Sequence, residues 1–277
     1  MDNIHNANHW NFSEHELMHP PSSSAPPPSL TVTASSQNLH QHQQQHQQIP
    51  LLTLADDRDF RAKAARFIYN IGLSLKLPAN VIATAQVFMH RFYMRESFRK
   101  HRYQDVSTAA LFLATKVEEN ARRLKQVIQV AAQRALKSDL NHKIDESSRE
   151  FKNWWDNTLY YEELILSTLC WDLNVDYPYE WILKLCKLLK APAHLKASAW
   201  AVVNDSYRLP LCLQYKSQEL ACGCMTVALT ISLSPMRLSS DHKNPDSPLV
   251  SPSFPAAVSK EGNFGATAVD DNNIRDF

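Results

Sequence analysis

FMHRFYMRESFRKHRYQDVSTAALFLATKVEE, running from Phe88 to Glu119, is the stretch that decides the fold. From Val106 to Ala114 it mixes small residues (Ser107, Ala109, Ala110, Ala114) with Leu111, Phe112 and Leu113. A helix of that composition suits a central position, with neighbours packed closely on several sides. Lys116, Glu118 and Glu119 then close the segment with charge, so its apolar part is expected inside and its C-terminal end at the surface.

Outward from this stretch, helical spacing with few breakers runs from Leu51 to Leu233. Pro78, Pro178, Pro192 and Pro210 each stand where one periodic segment gives way to the next. The pattern predicts helices near 56–75, 79–94, 105–119, 123–137, 150–170, 179–190, 193–208 and 216–233, and no alternating strand. An internal repeat supports the reading. LPANVIATAQVFMHRFY from Leu77 lies over APAHLKASAWAVVNDSY from Ala191, matching Pro78 to Pro192, Ala83 to Ala197, Ala85 to Ala199 and Tyr93 to Tyr207. STAALFLATKV from Ser107 lies over ELACGCMTVAL from Glu219, with Cys222, Gly223 and Cys224 where the first copy has Ala110, Leu111 and Phe112. Two similar helical bundles in tandem follow, each round a small-residue helix. After Leu233 no helical stripe remains, so the second bundle is expected to be incomplete, either covered by the first or left with an exposed apolar surface.

Residues 1–50 combine HPPSSSAPPPS from His19 with HQHQQQHQQ from His40, and are expected to form a disordered arm. The expected organisation is therefore a disordered arm over 1–50, a first bundle over 51–176, a partial second bundle over 177–233 and a disordered Ser/Pro-containing tail over 234–277. Ser234–Pro235, Ser247–Pro248 and Ser251–Pro252 in that tail are candidate sites for a proline-directed kinase.

A formal net charge of +1 gives no global field toward DNA, RNA or an anionic membrane. With no leader and no apolar run long enough to span a bilayer, the chain is expected to be soluble and intracellular. Of its four glycines, Gly72 and Gly223 fall in the part expected to fold, so no glycine-rich loop is present to cradle a phosphate. The chain is not itself a kinase, shows no serine-nucleophile setting, and implies neither cofactor nor metal. Cys170, Cys186, Cys212, Cys222 and Cys224 lie in apolar helical sequence and are expected as buried thiols, without metal-ligand spacing. His90 and Arg91 are expected as helix residues with one packed and one solvated face, Trp171 as a core tryptophan, and Arg99 to Arg102 as a solvated turn.

The wording FMHRFYM…ATKVEE resembles the cyclin box, nearest the transcription-associated cyclins of the K and T type, over roughly Phe60 to Leu233. That resemblance implies two five-helix boxes, from which the short second copy departs. In cyclins a lysine of the third helix and a glutamate of the fifth contact the partner kinase. Lys116 within ATKVEE and Glu162 within YEELIL match those positions. Read from the residues alone, Lys116 complements a helix C-terminus. Glu162 shares a helix face with Ile165, Leu166 and Leu169, where a carboxylate interrupts an apolar seam. Charge stands in one copy only, since Lys116 lies over Ala228 and Glu118 over Thr230. Phe112, whose spacing fits a core residue and an interface anchor equally, completes the candidate kinase-binding patch with Val117 and Glu119, and Lys116 and Glu162 are expected to approach one another at the mouth of the first bundle.

The function implied is that of a non-catalytic cyclin, resident in the nucleus, which binds and activates a cyclin-dependent kinase in RNA polymerase II transcription. The polymerase C-terminal repeat domain would be its indirect partner, with no membrane and no direct DNA contact. A cyclin of the L or C type, or a scaffold that binds a kinase without activating it, remains an alternative. A general transcription factor of the IIB type would want an N-terminal zinc ribbon and a basic face; the N-terminal arm has no cysteine and the net charge is +1. The first helix, with RDFRAKAARFIYNIG, lacks the MRAIL-like docking motif of cell-cycle cyclins, so substrate recruitment through that groove is not expected.

Overall fold

A computed structural model describes residues 10–19, 52–136 and 144–233. Among them there are nine α-helices and no strand: α1 (Glu14–Met18), α2 (Leu54–Ser74), α3 (Ala79–Phe92), α4 (Tyr103–Val117), α5 (Leu124–Leu136), α6 (Arg149–Thr168), α7 (Tyr179–Leu188), α8 (Ala193–Ser206) and α9 (Ser217–Leu233), with a 3-10 turn at Pro210–Leu213. The eight helices from α2 onward fall close to the bounds that periodicity predicts. Local chemistry sets their ends. Thr53 and Asp56 form a reciprocal capping box at the start of α2, and the Ser148 side chain caps α6. Pro78, Pro178 and Pro192 occupy the N-cap positions of α3, α7 and α8. At the far ends, Lys76, Glu119 and Lys190 take positive φ and turn the chain out of the helix.

Helix α4 is the axis of the first bundle, packed by α2, α3, α5 and α6. Every residue from Asp105 to Thr115 is buried, as the small-residue pattern requires. Gly72 lets α2 approach α3, since a β-carbon there would stand 2.6 Å from Cγ1 of Ile82. A buried ion pair also sits in this bundle: Arg61 Nε donates to Asp57 Oδ2 at 2.6 Å, and its Nη groups donate to the carbonyls of His90 and Tyr93. Those four partners and donors lie on α2 and at the end of α3, so the guanidinium ties the two helices together.

The second core gathers residues of α7, α8 and α9, together with Ala83 and Val87 of α3. Helix α3 therefore serves both cores, and His90 and Arg91 are not split between a packed and a solvated face as expected. Both are buried. Nε2 of His90 lies 2.8 Å from the Tyr207 carbonyl, which can only accept, so Nε2 carries the proton. Arg91 donates to the carbonyls of Asp172 and Asn174 in the connection between α6 and α7. Burial holds the His90 imidazole at a pKa of about 3, with the Arg61 guanidinium adding to the depression.

Four other expectations are corrected. Within the arm expected to be disordered, residues 10–19 are placed: Ser13 and Glu16 cap the short α1, and Trp10 is buried. Its indole N–H donates to Asp172 at 2.9 Å, and its ring lies under the guanidinium groups of Arg91 and Arg95 at 5.1 and 4.8 Å. Phe12 N–H then donates to the Leu213 carbonyl. Trp171 is 71% exposed, because Cys170 and Trp171 both take positive φ and swing the chain away from the core at the end of α6. Cys170 and Cys222 are exposed and Cys212 half-buried, leaving Cys186 and Cys224 as the buried thiols. In the basic turn, His101 is buried against Glu96 rather than solvated. The histidine-glutamine run, most of the proline-serine segment and the Ser–Pro pairs lie outside the described residues. Among those described, no helix is long and apolar enough to cross a membrane.

Candidate functional site

The site forms where the last turn of α4 packs against α6. Lys116 is in the last turn of α4, and α4·α6 packing brings it over Glu162 on the next helix but one. Its Nζ donates to both carboxylate oxygens of Glu162, at 2.7 and 2.9 Å. The lysine side chain is 47% exposed and the glutamate 12%. An ion pair of that kind contributes little to stability, on the order of 1 kcal/mol or less, because solvent screens its lysine. Its value is geometric: two hydrogen bonds fix the ammonium and the carboxylate relative to one another.

Phe112 lies beneath the pair, one turn before Lys116, with Nζ 4.1 Å from its ring centre. The ring is 7% exposed and belongs to the first core. It supports the lysine from inside and offers no aromatic surface outward. Val117 is half-buried against the same core, and Glu119 is exposed just beyond the helix end at φ 51°. Structure thus brings Lys116, Glu162 and Phe112 into contact, and sets Val117 and Glu119 on the chain that leaves them.

Glu118, which sequence reading places with the emerging charges, turns the other way. It accepts hydrogen bonds from Asn80 and Thr84 of α3, each at 2.8 Å, and from the hydroxyl of Tyr177 in the α6–α7 connection. Burial and this carboxylate together push the Tyr177 phenol up from its ordinary range. Three separate parts of the chain meet at Glu118, which makes it a tie behind the site. Asn80, Thr84 and Tyr177 are 38, 34 and 59 residues distant, so no local motif announces it.

Sequence reasoning also missed the apolar residues along α6. Trp155, Leu159 and Tyr160 are all more than a third exposed, and Leu159 precedes Glu162 by one turn. Spacing of three and four residues from Trp155 through Leu159, Glu162 and Leu166 was the available signal. The result is a half-apolar ridge beside a fixed ion pair. Chemically it can recognise backbone and side-chain polar groups: Glu162 retains lone pairs for two further donors, and the ammonium has one N–H left. Nothing here is a nucleophile with a base, and among the described residues no group of His, Cys, Asp or Glu is arranged to hold a metal ion.

A family profile described as "Cyclin, N-terminal domain" matches residues 32–174, a span that includes α2 to α6. Curated relatives include Cyclin pch1 of Schizosaccharomyces pombe, 39% identical over 170 residues, which are 61% of this chain and 49% of that protein. Cyclin-T1-5 of Arabidopsis thaliana is 36% identical over 179 residues, 64% of this chain and 31% of the relative. Human Cyclin-T2 is 34% identical over 185 residues, 66% and 25% of the two chains. The chain therefore spans about half the length of pch1 and less of the others. Among solved structures, a chain of the yeast RNA Pol II CTD kinase CTDK-1 complex superposes with a TM-score of 0.57 at 18% identity, covering 65% of this chain and 57% of that one. A chain of the Chaetomium thermophilum CAK complex bound to ATP-gamma-S gives 0.50 at 17% identity, covering 65% and 54%. At such identities these two likenesses speak for the fold alone.

Proposed function

The chain belongs to the cyclin family, and we propose that it is the regulatory subunit that binds and activates a cyclin-dependent kinase acting in RNA polymerase II transcription. Its relatives pch1 and the T-type cyclins are transcription-associated cyclins. The setting assigned here is accordingly the nucleus, with the polymerase C-terminal repeat domain as the substrate of the complex. The chain itself contributes binding and no phosphotransfer.

One observation carries the assignment of the site: the Lys116–Glu162 pair, held at 2.7 and 2.9 Å on a rigid helical base. A kinase is active when its strand lysine pairs with the glutamate of its movable helix. A partner whose polar groups are already fixed selects that helix position without ordering its own surface. In this reading Lys116 and Glu162 bond to the kinase, Val117 and Glu119 border the contact, and Phe112 keeps the lysine in place from below. The half-exposed ridge of Trp155 and Leu159 adds apolar area at its edge.

Reconstitution tests the proposal. The purified chain alone should not phosphorylate polymerase C-terminal repeats, and should raise the activity of the cyclin-dependent kinase that co-purifies with it and is identified by mass spectrometry. Phosphorylation by the kinase-free chain contradicts the assignment. So does a co-purified kinase whose activity the chain leaves unchanged, which would make it a scaffold.

A further inference from the structure

Tyr177 belongs to both bundles. Its ring is half-buried against the second core, 6.5 Å from the Tyr179 ring between centres, in the connection that leads into α7. Its hydroxyl leaves that core and donates to Oε1 of Glu118, the residue that caps the end of the helix carrying Lys116. Thr84 of α3 donates to the same oxygen and Asn80 to Oε2, each at 2.8 Å, so both sides of the carboxylate are held. Residues two apart on a helix point roughly 200° apart. Glu118 is accordingly drawn toward α3 while Lys116 faces Glu162 on α6. Whatever fixes Glu118 therefore fixes the rotation of the last turn of α4, and with it the direction in which Lys116 leaves the helix. That turn needs such support, because the last carbonyls of a helix have no onward partner in it and the end frays.

We propose that Tyr177 is a positioning residue for the kinase contact: through Glu118, its hydroxyl sets the last turn of α4 and so the direction of Lys116. The inference rests on the assignment of the Lys116–Glu162 pair to the kinase, and adds to that site a dependence on the second bundle. Tyr177 acts through Glu118 and not by touching the kinase. The short second bundle thereby enters the site without forming part of its surface, because its core holds the ring whose hydroxyl reaches Glu118. Two amides report on the turn it fixes: the Glu118 N–H donates to the Ala114 carbonyl at 3.0 Å and the Glu119 N–H to the Lys116 carbonyl at 3.1 Å.

Tyr177→Phe tests this, since it keeps the ring in the second core and removes only the donor, leaving Thr84 and Asn80 on Glu118. Titrated calorimetrically with the cyclin-dependent kinase that co-purifies with the full chain, the variant should bind about three- to tenfold more weakly than wild type, the loss expected for one hydrogen bond. In a Lys116→Ala background the same substitution should change affinity by less than about twofold, because the group it positions is gone. Tyr179→Phe is the control: it removes a hydrogen bond to Asn204 inside the second bundle, and should lower the melting temperature while leaving affinity as it is. Hydrogen exchange on the kinase-free chain gives a second readout. The Glu118 and Glu119 amides should exchange about threefold faster or more in Tyr177→Phe, and as in wild type in Tyr179→Phe. Unchanged affinity or unchanged exchange in Tyr177→Phe, where Lys116→Ala does weaken binding, overturns this inference and leaves the kinase contact standing. An equal loss of affinity in both backgrounds overturns it too, since Tyr177 would then act by a route other than Lys116. A Lys116→Ala chain that binds as wild type removes the kinase contact itself, and this inference with it.

Discussion

Helices α4 and α9 are two readings of one pattern, and they end in opposite environments. Both are short runs of small and apolar residues, matched position for position in the repeat. Helix α4 has neighbours on four sides and buries its residues from Asp105 to Thr115; α9 has neighbours on α7 and α8 and leaves Val227 and Ile231 to solvent. Composition alone does not bury a helix. The number of helices that follow it does, and the first bundle has α5 and α6 where the second, among the described residues, has none. The same comparison separates the charges: the charged end in the first copy faces Glu162 across the α4–α6 contact, and the second copy has Ala228 at that place.

The largest effect is expected inside the first bundle. Arg61→Ala removes a guanidinium that is 2% exposed and leaves Asp57, equally buried, without its partner. Breaking a buried pair in this way costs about 3–5 kcal/mol. Thermal unfolding should move sharply downward; an unchanged melting temperature would show that the pair is not part of the packing that distinguishes this bundle.

Acid sharpens the comparison at the seam between the cores. His90 has its ordinary pKa of 6.5 when unfolded and about 3 when folded, so the unfolded chain binds the extra proton between those values. Its contribution to stability is intact above pH 6.5 and declines as pH falls toward 3, by at most about 1.4 kcal/mol per pH unit. His90→Gln keeps a donor for the Tyr207 carbonyl and cannot titrate. Denaturant unfolding as a function of pH should then lose that part of its acid slope, and an identical slope in the variant contradicts the assignment.

A matched pair of substitutions tests the wrapped and bare helices against each other. Ala110→Leu forces three carbons into a fully buried position of α4 and should destabilise by about 1–3 kcal/mol. Cys222→Leu, at the corresponding exposed position of α9, should change monomer stability by no more than about 0.5 kcal/mol. Equal costs would mean that α9 is covered in solution by something within its own chain.

Much of this was legible in the sequence, and the limits follow from distance along the chain. Helical period, proline placement and the repeat gave eight helices, because those signals are local. The approach of Lys116 to Glu162 followed from helix faces and the cyclin resemblance together. What escaped were contacts between remote residues: Trp10 meets Asp172 162 positions away, and His90 meets Tyr207 at a separation of 117. Hydrophobicity also misplaced Trp171, since two consecutive residues with positive φ carry it outward regardless of its side chain. Phe112, left open by its spacing, is settled as core by the helices around it.

The central claim is that the fixed ion pair is the contact with the kinase, and calorimetric titration of the kinase into folded protein tests it most directly. Truncating one member of a hydrogen-bonded charge pair in a contact costs about 2–5 kcal/mol of binding. Lys116→Ala and Glu162→Ala should each weaken the complex by more than about tenfold while lowering stability by about 1 kcal/mol or less, since the lysine is half-exposed. Lys184→Ala on α7, whose ammonium lies 4.2 Å from the Trp181 ring, should leave affinity as it is. Unaltered affinity in both Lys116→Ala and Glu162→Ala would contradict the account and return Lys116 to the role of a charge at a helix end.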